Sequence, residues 1–214
     1  MGLQEAINAC PAVAILRSSS AARFADVSDV LVEQGIRAVE FTFTAPNVAD
    51  AIRKYAARKP ADVALGAGTV TTVEQARQAV DAGATYLISP SLNVDVIEEG
   101  ARLGVPVLPG ALTPSEILTA WRAGAAMVKV FPASAVGGPS YVKAIRGPLP
   151  DIPLVPTGGV SVDDAEFYLV AGATAVGVGS PLIGDACQSD GDLDALAERA
   201  RRLVANVTRR GRRR

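Results

Sequence analysis

Eight short apolar, β-branched runs recur about every 20 to 25 residues, and each closes on Gly, Pro, Ser, Thr or a polar turn and gives way to a stretch with helical spacing. That alternation, unbroken by a long linker or a shift in composition, predicts an α/β protein: a closed (β/α)8 TIM barrel with an N-terminal capping helix. The capping helix is expected over Gln4 to Ala9, under the floor of the barrel, and the first strand over Val13 to Arg17. Phe24, Val27, Val30, Leu31 and Ile36 then recur at helical intervals before the second strand, Ala38 to Phe43. The third strand is Ala64 to Thr69; the helix after it is signalled by Thr71-Thr72-Val73-Glu74-Gln75, an N-cap with an acid or amide three residues on.

Tyr86 to Pro90 and Val105 to Gly110 make the fourth and fifth strands. Thr113-Pro114-Ser115-Glu116 opens the next helix with a cap, a first-turn proline and an acid, ahead of the sixth strand, Met127 to Pro132. Leu154 to Gly159 and Ala175 to Ser180 complete the set. Helix ends are marked by Gly35, Gly83, Gly104, Gly124 and Gly172, each where a helix would stop in a left-handed residue. An open doubly wound sheet is the competing architecture, but it usually carries a glycine-rich turn after its first strand, and here that strand ends Leu16-Arg17-Ser18-Ser19.

A chain of 214 residues with 49% hydrophobic and 20% charged content suits one globular domain, taken as residues 1–207, with the Arg-rich end 208–214 read as a disordered basic tail. Basic and acidic residues nearly cancel, 21 against 22, so there is no footprint for nucleic acid. No apolar stretch approaches the roughly 20 residues of a membrane helix, and the start of the chain lacks the flanks of an export signal. Together with two widely separated cysteines, Cys10 and Cys187, this points to a cytoplasmic protein with free thiols. The absence of histidine excludes Ser-His-Asp hydrolysis, His-based zinc chemistry and imidazole acid–base catalysis.

Lys129 is one of four lysines and lies inside the apolar run Met127-Val128-Lys129-Val130-Phe131-Pro132. Burying an ammonium there is costly unless it is paired, and a lysine commonly responds by losing its proton at lower pH, which leaves a nucleophilic amine. The alternative is a lysine at a strand end that snorkels to solvent. Alternation along the strands places Met127, Lys129 and Phe131 on one face and Val128 and Val130 on the other. The valines suit the layer beneath the helices, which leaves Lys129 inside. The same parity puts Glu40 and Thr42 inward and Val39, Phe41 and Phe43 outward, while Leu65, Ala67 and Thr69 form one set.

Glu40 therefore projects toward the cavity that holds Lys129, either as an acid/base partner or as half of a buried ion pair. A desolvated amine beside a carboxylate is suited to attack a carbonyl and form an imine, with the glutamate moving protons. This is class I aldolase chemistry, and it calls for no metal and no cofactor. At the last two strands, Pro156-Thr157-Gly158-Gly159-Val160 and Gly177-Val178-Gly179-Ser180-Pro181 have the form of backbone anion turns. A phosphorylated carbonyl compound is the expected substrate.

In their order, Glu40-Phe41-Thr42, Gly66-Ala67-Gly68-Thr69, Ile88-Ser89-Pro90, Val128-Lys129-Val130-Phe131-Pro132-Ala133 and Thr157-Gly158-Gly159-Val160 resemble the KDPG/KHG aldolase family, including the 2-dehydro-3-deoxy-6-phosphogalactonate aldolases. The likeness covers nearly all of residues 9 to 185. It implies a homotrimeric TIM barrel that reversibly cleaves 2-dehydro-3-deoxy-6-phosphogluconate, or its galactonate epimer, to pyruvate and glyceraldehyde 3-phosphate. By the same resemblance Lys129 matches the Schiff-base lysine and Glu40 the general acid/base. Thr69, Pro90 and Phe131 match the pyruvate pocket, and Arg17 a substrate-binding arginine. Gly158, Gly159, Gly179 and Ser180 match the phosphate turns, with Thr157 joining the substrate-binding set.

One position departs from the pattern. Many gluconate-type members carry an arginine four residues after the glutamate, where this chain has Thr44, which cannot supply a bidentate charge. Galactonate-type members also lack it. Two other functions compete with the aldolase: a silent barrel that binds a phosphorylated sugar acid, and an isomerase or epimerase using Glu40 as base.

Overall fold

The computed structural model describes residues 1–209. Helix α1 (Leu3–Ala9) leads into β1 (Ala12–Leu16), α2 (Phe24–Glu33), β2 (Ala38–Thr42), α3 (Val48–Ala56), β3 (Ala64–Gly68), α4 (Val73–Asp81), β4 (Tyr86–Ile88) and α5 (Val94–Arg102). The chain continues through β5 (Val107–Leu108), β6 (Gly110–Ala111), α6 (Pro114–Arg122), β7 (Val128–Val130), a 3-10 turn (Ser134–Val136), α7 (Pro139–Arg146), β8 (Leu154–Pro156), α8 (Ala165–Val170), β9 (Val176–Val178), α9 (Ser180–Ile183) and α10 (Leu193–Thr208).

All strand pairs are parallel. One sheet runs β5-β4-β3-β2-β1-β9 and curls into a half-barrel; a second runs β6-β7-β8. The predicted fifth strand is present in two halves split at Pro109, which has no N–H to give a ladder but whose carbonyl still accepts from Lys129 N at 3.0 Å. At the other seam Thr157 bridges Gly177, and Thr174 N donates to Leu154 O at 2.8 Å.

Alternation along the strands sorts their side chains into two apolar clusters. Ala14, Leu16, Val39, Phe41, Leu65, Leu87, Val128, Val130 and Val176 pack outward against helix residues such as Phe24, Leu31, Ile52 and Leu196. Each fully buried aliphatic or aromatic side chain contributes roughly 1.5–3 kcal/mol. The inner cluster gathers Val13, Ala38, Ala64, Tyr86, Leu108, Met127, Val155 and Ala175 with Leu3, Ala6 and Ile7 of α1. The N-terminal helix thus plugs the end of the strands where their chains enter.

Helix boundaries follow the capping chemistry of the sequence. Thr72 accepts from Gln75 N, and Thr113 and Glu116 form a reciprocal capping box, each cap worth about 1 kcal/mol. Gly35, Gly83, Gly104, Gly124 and Gly172 all have positive φ. Several predicted strands run one to three residues too long at their C-terminal ends, as where Leu154 to Gly159 becomes Leu154–Pro156. The runs stay apolar or glycine-rich past the strand ends, where cross-strand bonds such as Phe131 N to Ala111 O continue for a residue or so before the loops begin. Helix α10 extends through Thr208, across the predicted 207/208 boundary, and residues 210–214 of the Arg-rich end lie outside the described residues. Among the described residues no helix is long and apolar enough to cross a membrane.

Candidate active site

Lys129 occupies the middle of β7, with Gly110 of β6 and Val155 of β8 as its register partners, and is 4% exposed. Glu40 on β2 is 1% exposed, sent inward by the alternation that buries Val39 and Phe41 beneath the helices. Room for it comes from β3. A Cβ on Gly68 would lie 1.6 Å from Glu40 Oε1, and one on Gly66 would lie 2.2 Å from the Tyr86 ring. Tyr86 in turn donates its hydroxyl to Val39 O at 2.7 Å, so the polar atom of this deeper ring is satisfied.

Glu40 is not. Both of its carboxylate oxygens are buried without a hydrogen-bond partner among the described residues. Burial pushes its pKa above the usual carboxylate range, against the pull of the Lys129 and Arg17 charges. Burial pushes Lys129 below the ordinary lysine value; Glu40 opposes that shift and Arg17 adds to it. No ion pair joins Lys129 to Glu40 among the described residues. The amine instead sits 5.1 Å from the centroid of the Phe131 ring.

Lys129 opens onto a cavity of about 260 Å³. Arg17, Phe131 and Thr157 line it, with Gly158, Gly159, Gly179 and Ser180 on its rim. Gly158 and Gly159 have φ of 87° and 74°, successive left-handed residues of the kind that turn backbone N–H groups toward an anion. A side chain cannot replace the second of them, because a Cβ there would lie 1.8 Å from Ser134 Oγ. The amides of Gly158, Gly159 and Gly179, which lie outside the helices and strands, donate to no backbone carbonyl among the described residues.

Of the remaining sequence-predicted residues, Thr69 is tied to this cavity through Arg17. Arg17 extends across β2 to Thr69, donating from its guanidinium to Thr69 Oγ1 at 3.3 Å. Thr69 has φ of 56°, a conformation that costs a β-branched residue about 1–3 kcal/mol. Pro90 does not line the cavity; it packs against Gly110, where a Cβ would lie 2.2 Å from the Pro90 carbonyl oxygen. Thr44 is exposed, and its Oγ1 lies 2.8 Å from Thr42 Oγ1. Because Thr42 donates to Leu16 O, Thr44 is the donor in that pair.

Sequence reasoning missed Ile15 and Gly177, which line the cavity, and the space-making role of Gly66 and Gly68. A signal existed for the glycines: both lie at inward parity on β3, in register with Glu40 and Thr42.

The model of the KDPG and KHG aldolase family matches residues 3–198. The chain belongs to that family. It is 34% identical to the 2-dehydro-3-deoxy-phosphogluconate aldolase of Pseudoalteromonas atlantica over 95% of this chain and 94% of that one. It is 37% identical to the probable 2-dehydro-3-deoxy-6-phosphogalactonate aldolase of Rhizobium meliloti over 80% and 81%. Among solved structures, KDPG aldolase from Legionella pneumophila, with pyruvate captured as a covalent carbinolamine intermediate, superposes with a TM-score of 0.85 at 28% identity, covering 94% of this chain and 96% of that one.

Proposed function

We propose that this chain reversibly cleaves 2-dehydro-3-deoxy-6-phosphogluconate, or its galactonate epimer, to pyruvate and glyceraldehyde 3-phosphate through a Schiff base on Lys129. The observation that carries this reading is a lysine, 4% exposed, that opens onto a cavity lined by the glycine turns at Gly158, Gly159 and Gly179, with burial holding its amine below the ordinary lysine value.

The neutral amine attacks the C2 carbonyl; the carbinolamine loses water, and the resulting iminium withdraws electrons from the C3–C4 bond. The C4 hydroxyl gives up its proton, the bond breaks, and glyceraldehyde 3-phosphate departs. Protonation of the enamine at C3 and hydrolysis release pyruvate and regenerate the amine. Glu40, with no hydrogen-bond partner among the described residues to lock it, serves as the acid and base for these transfers, directly or through water. Gly158, Gly159, Gly179 and Ser180 hold the phosphate. Arg17, steadied by Thr69, is the guanidinium at this cavity that meets the carboxylate in place of the arginine that Thr44 replaces.

The two sheets are read as one closed eight-strand barrel, with β5 and β6 counted as one strand. The Thr157–Gly177 bridge and an inner cluster that draws on all eight predicted strands support closure. The protein is further proposed to work in the cytoplasm as a homotrimer, with the exposed Trp121, Phe167 and Val170 offering apolar surface for contact between copies.

Turnover is tested by pyruvate release from both epimers side by side. The absence of arginine at position 44 favours the galactonate epimer as at least an equal substrate. Release from neither would leave a non-catalytic binder of phosphorylated sugar acids.

A further inference from the structure

The amides of Gly179 and Ser180 can serve a phosphate only if the turn that carries them is held still, and α9 is four residues long, too short to hold itself. Its internal bonds are few: Leu182 N and Ile183 N donate to Gly179 O at 2.9 and 3.0 Å, and Gly184 N donates to Ser180 O at 2.9 Å. The end of the turn away from the cavity is gripped from another element. Arg199, on α10, donates Nε to Leu182 O at 2.7 Å and a terminal N–H to Ile183 O at 3.1 Å.

The chain makes room for this grip. Gly184 has φ of 57°, and a Cβ there would lie 2.7 Å from the Arg199 guanidinium. Arg199 has no carboxylate partner among the described residues, so its part-buried fork is engaged with two successive carbonyls rather than with an acid. A planar guanidinium bound to adjacent carbonyls fixes both the position and the tilt of the turn, which a point charge on a flexible stem does not do as well. Its charge also lies at the carbonyl end of the turn, where a cation is favoured.

We infer that Arg199 is a positioning residue for the phosphate half of the substrate, acting through α9 to aim the Gly179 and Ser180 amides into the cavity. The inference rests on the phosphate assignment made above for those turns. It predicts a split between the two halves of the substrate: loss of the grip weakens phosphate recognition and spares the amine that meets pyruvate.

The test compares wild type, Arg199→Met, Arg199→Lys and Arg201→Met, the last a residue of the same helix α10 whose exposed contact reaches Gln34 at the end of α2. Expected for Arg199→Met are a rise of about tenfold in KM for the phosphorylated acid and an equal weakening of competitive inhibition by inorganic phosphate. Its kcat should stay within about threefold of wild type, and the rate of borohydride trapping of pyruvate should not change. Arg199→Lys should recover part of the loss, and Arg201→Met should match wild type. The inference is overturned if KM and phosphate inhibition in Arg199→Met stay within twofold of wild type, or if kcat, KM and pyruvate trapping worsen together with a fall in Tm. Calorimetric titration of inorganic phosphate into wild type and Arg199→Met separates this from failure of the aldolase reading. A wild type that binds phosphate without turnover overturns that reading alone, and a wild type that binds none overturns the inference.

Discussion

One step along the same strands divides a packed floor from a reactive layer. Val13, Ala38, Ala64, Met127, Val155 and Ala175 close the interior around α1, and their polar neighbour Tyr86 is hydrogen-bonded to Val39 O. Two residues further on, at identical parity, stand Ile15, Glu40, Gly66, Lys129, Thr157 and Gly177. The first layer is apolar and satisfied. In the second, glycines hold space open, and a buried carboxylate has no hydrogen-bond partner among the described residues. The fold places both layers by one rule of alternation, so the difference lies in side-chain chemistry alone: the floor supplies stability, and the layer above gives some of it up for reactivity.

The sharpest way to break that contrast is Glu40→Gln. Turnover should fall on the order of 10²–10⁴-fold as proton transfer is lost, while stability toward neutral pH rises because the amide escapes the penalty that burial places on the carboxylate. The sign with pH is fixed by the raised pKa of Glu40. The folded protein holds that proton more tightly than the unfolded chain, so this group's contribution is complete below the ordinary value of 4.5 and is lost as pH rises through the raised one. Denaturant melts should therefore show the gap between wild type and Glu40→Gln widening toward neutral pH. A constant gap would contradict it.

Gly68→Ala sharpens the same contrast by displacing Glu40 rather than replacing it. Its Cβ would fall 1.6 Å from Glu40 Oε1 and push the carboxylate aside. The expected cost is about 10²-fold in kcat, read by steady-state kinetics. Met127→Ala, one layer below Lys129, should have the smallest effect on chemistry. It should lose about 2–5 kcal/mol of stability in chemical denaturation and keep wild-type turnover per folded molecule.

How much of this was legible in the sequence follows the same division. Lys129 and Glu40 could be placed inside from parity because each is flanked by apolar residues that must face the helices. The left-handed helix ends at Gly35, Gly83, Gly104, Gly124 and Gly172 were visible because only one residue type suits them. Strand ends were overrun because Gly158, Gly159, Gly179 and Ser180 continue the pattern of a strand while leaving the ladder. The split at Pro109 follows from its missing N–H and was open to a closer reading of the sequence, whereas the left-handed backbone of Thr69 has no such local mark. The reach of Arg17 over β2 to Thr69 spans 52 positions of sequence and is likewise set by the fold.

The chemistry depends on Lys129 presenting an uncharged amine to a keto acid. Incubation with pyruvate and borohydride, followed by peptide mass spectrometry, tests it most directly. A reduced pyruvyl adduct is expected on Lys129 and none on Lys54, Lys59 or Lys143, with Lys129→Ala unlabelled. An unlabelled Lys129 in wild type, or labelling that persists elsewhere when Lys129 is replaced, would contradict it.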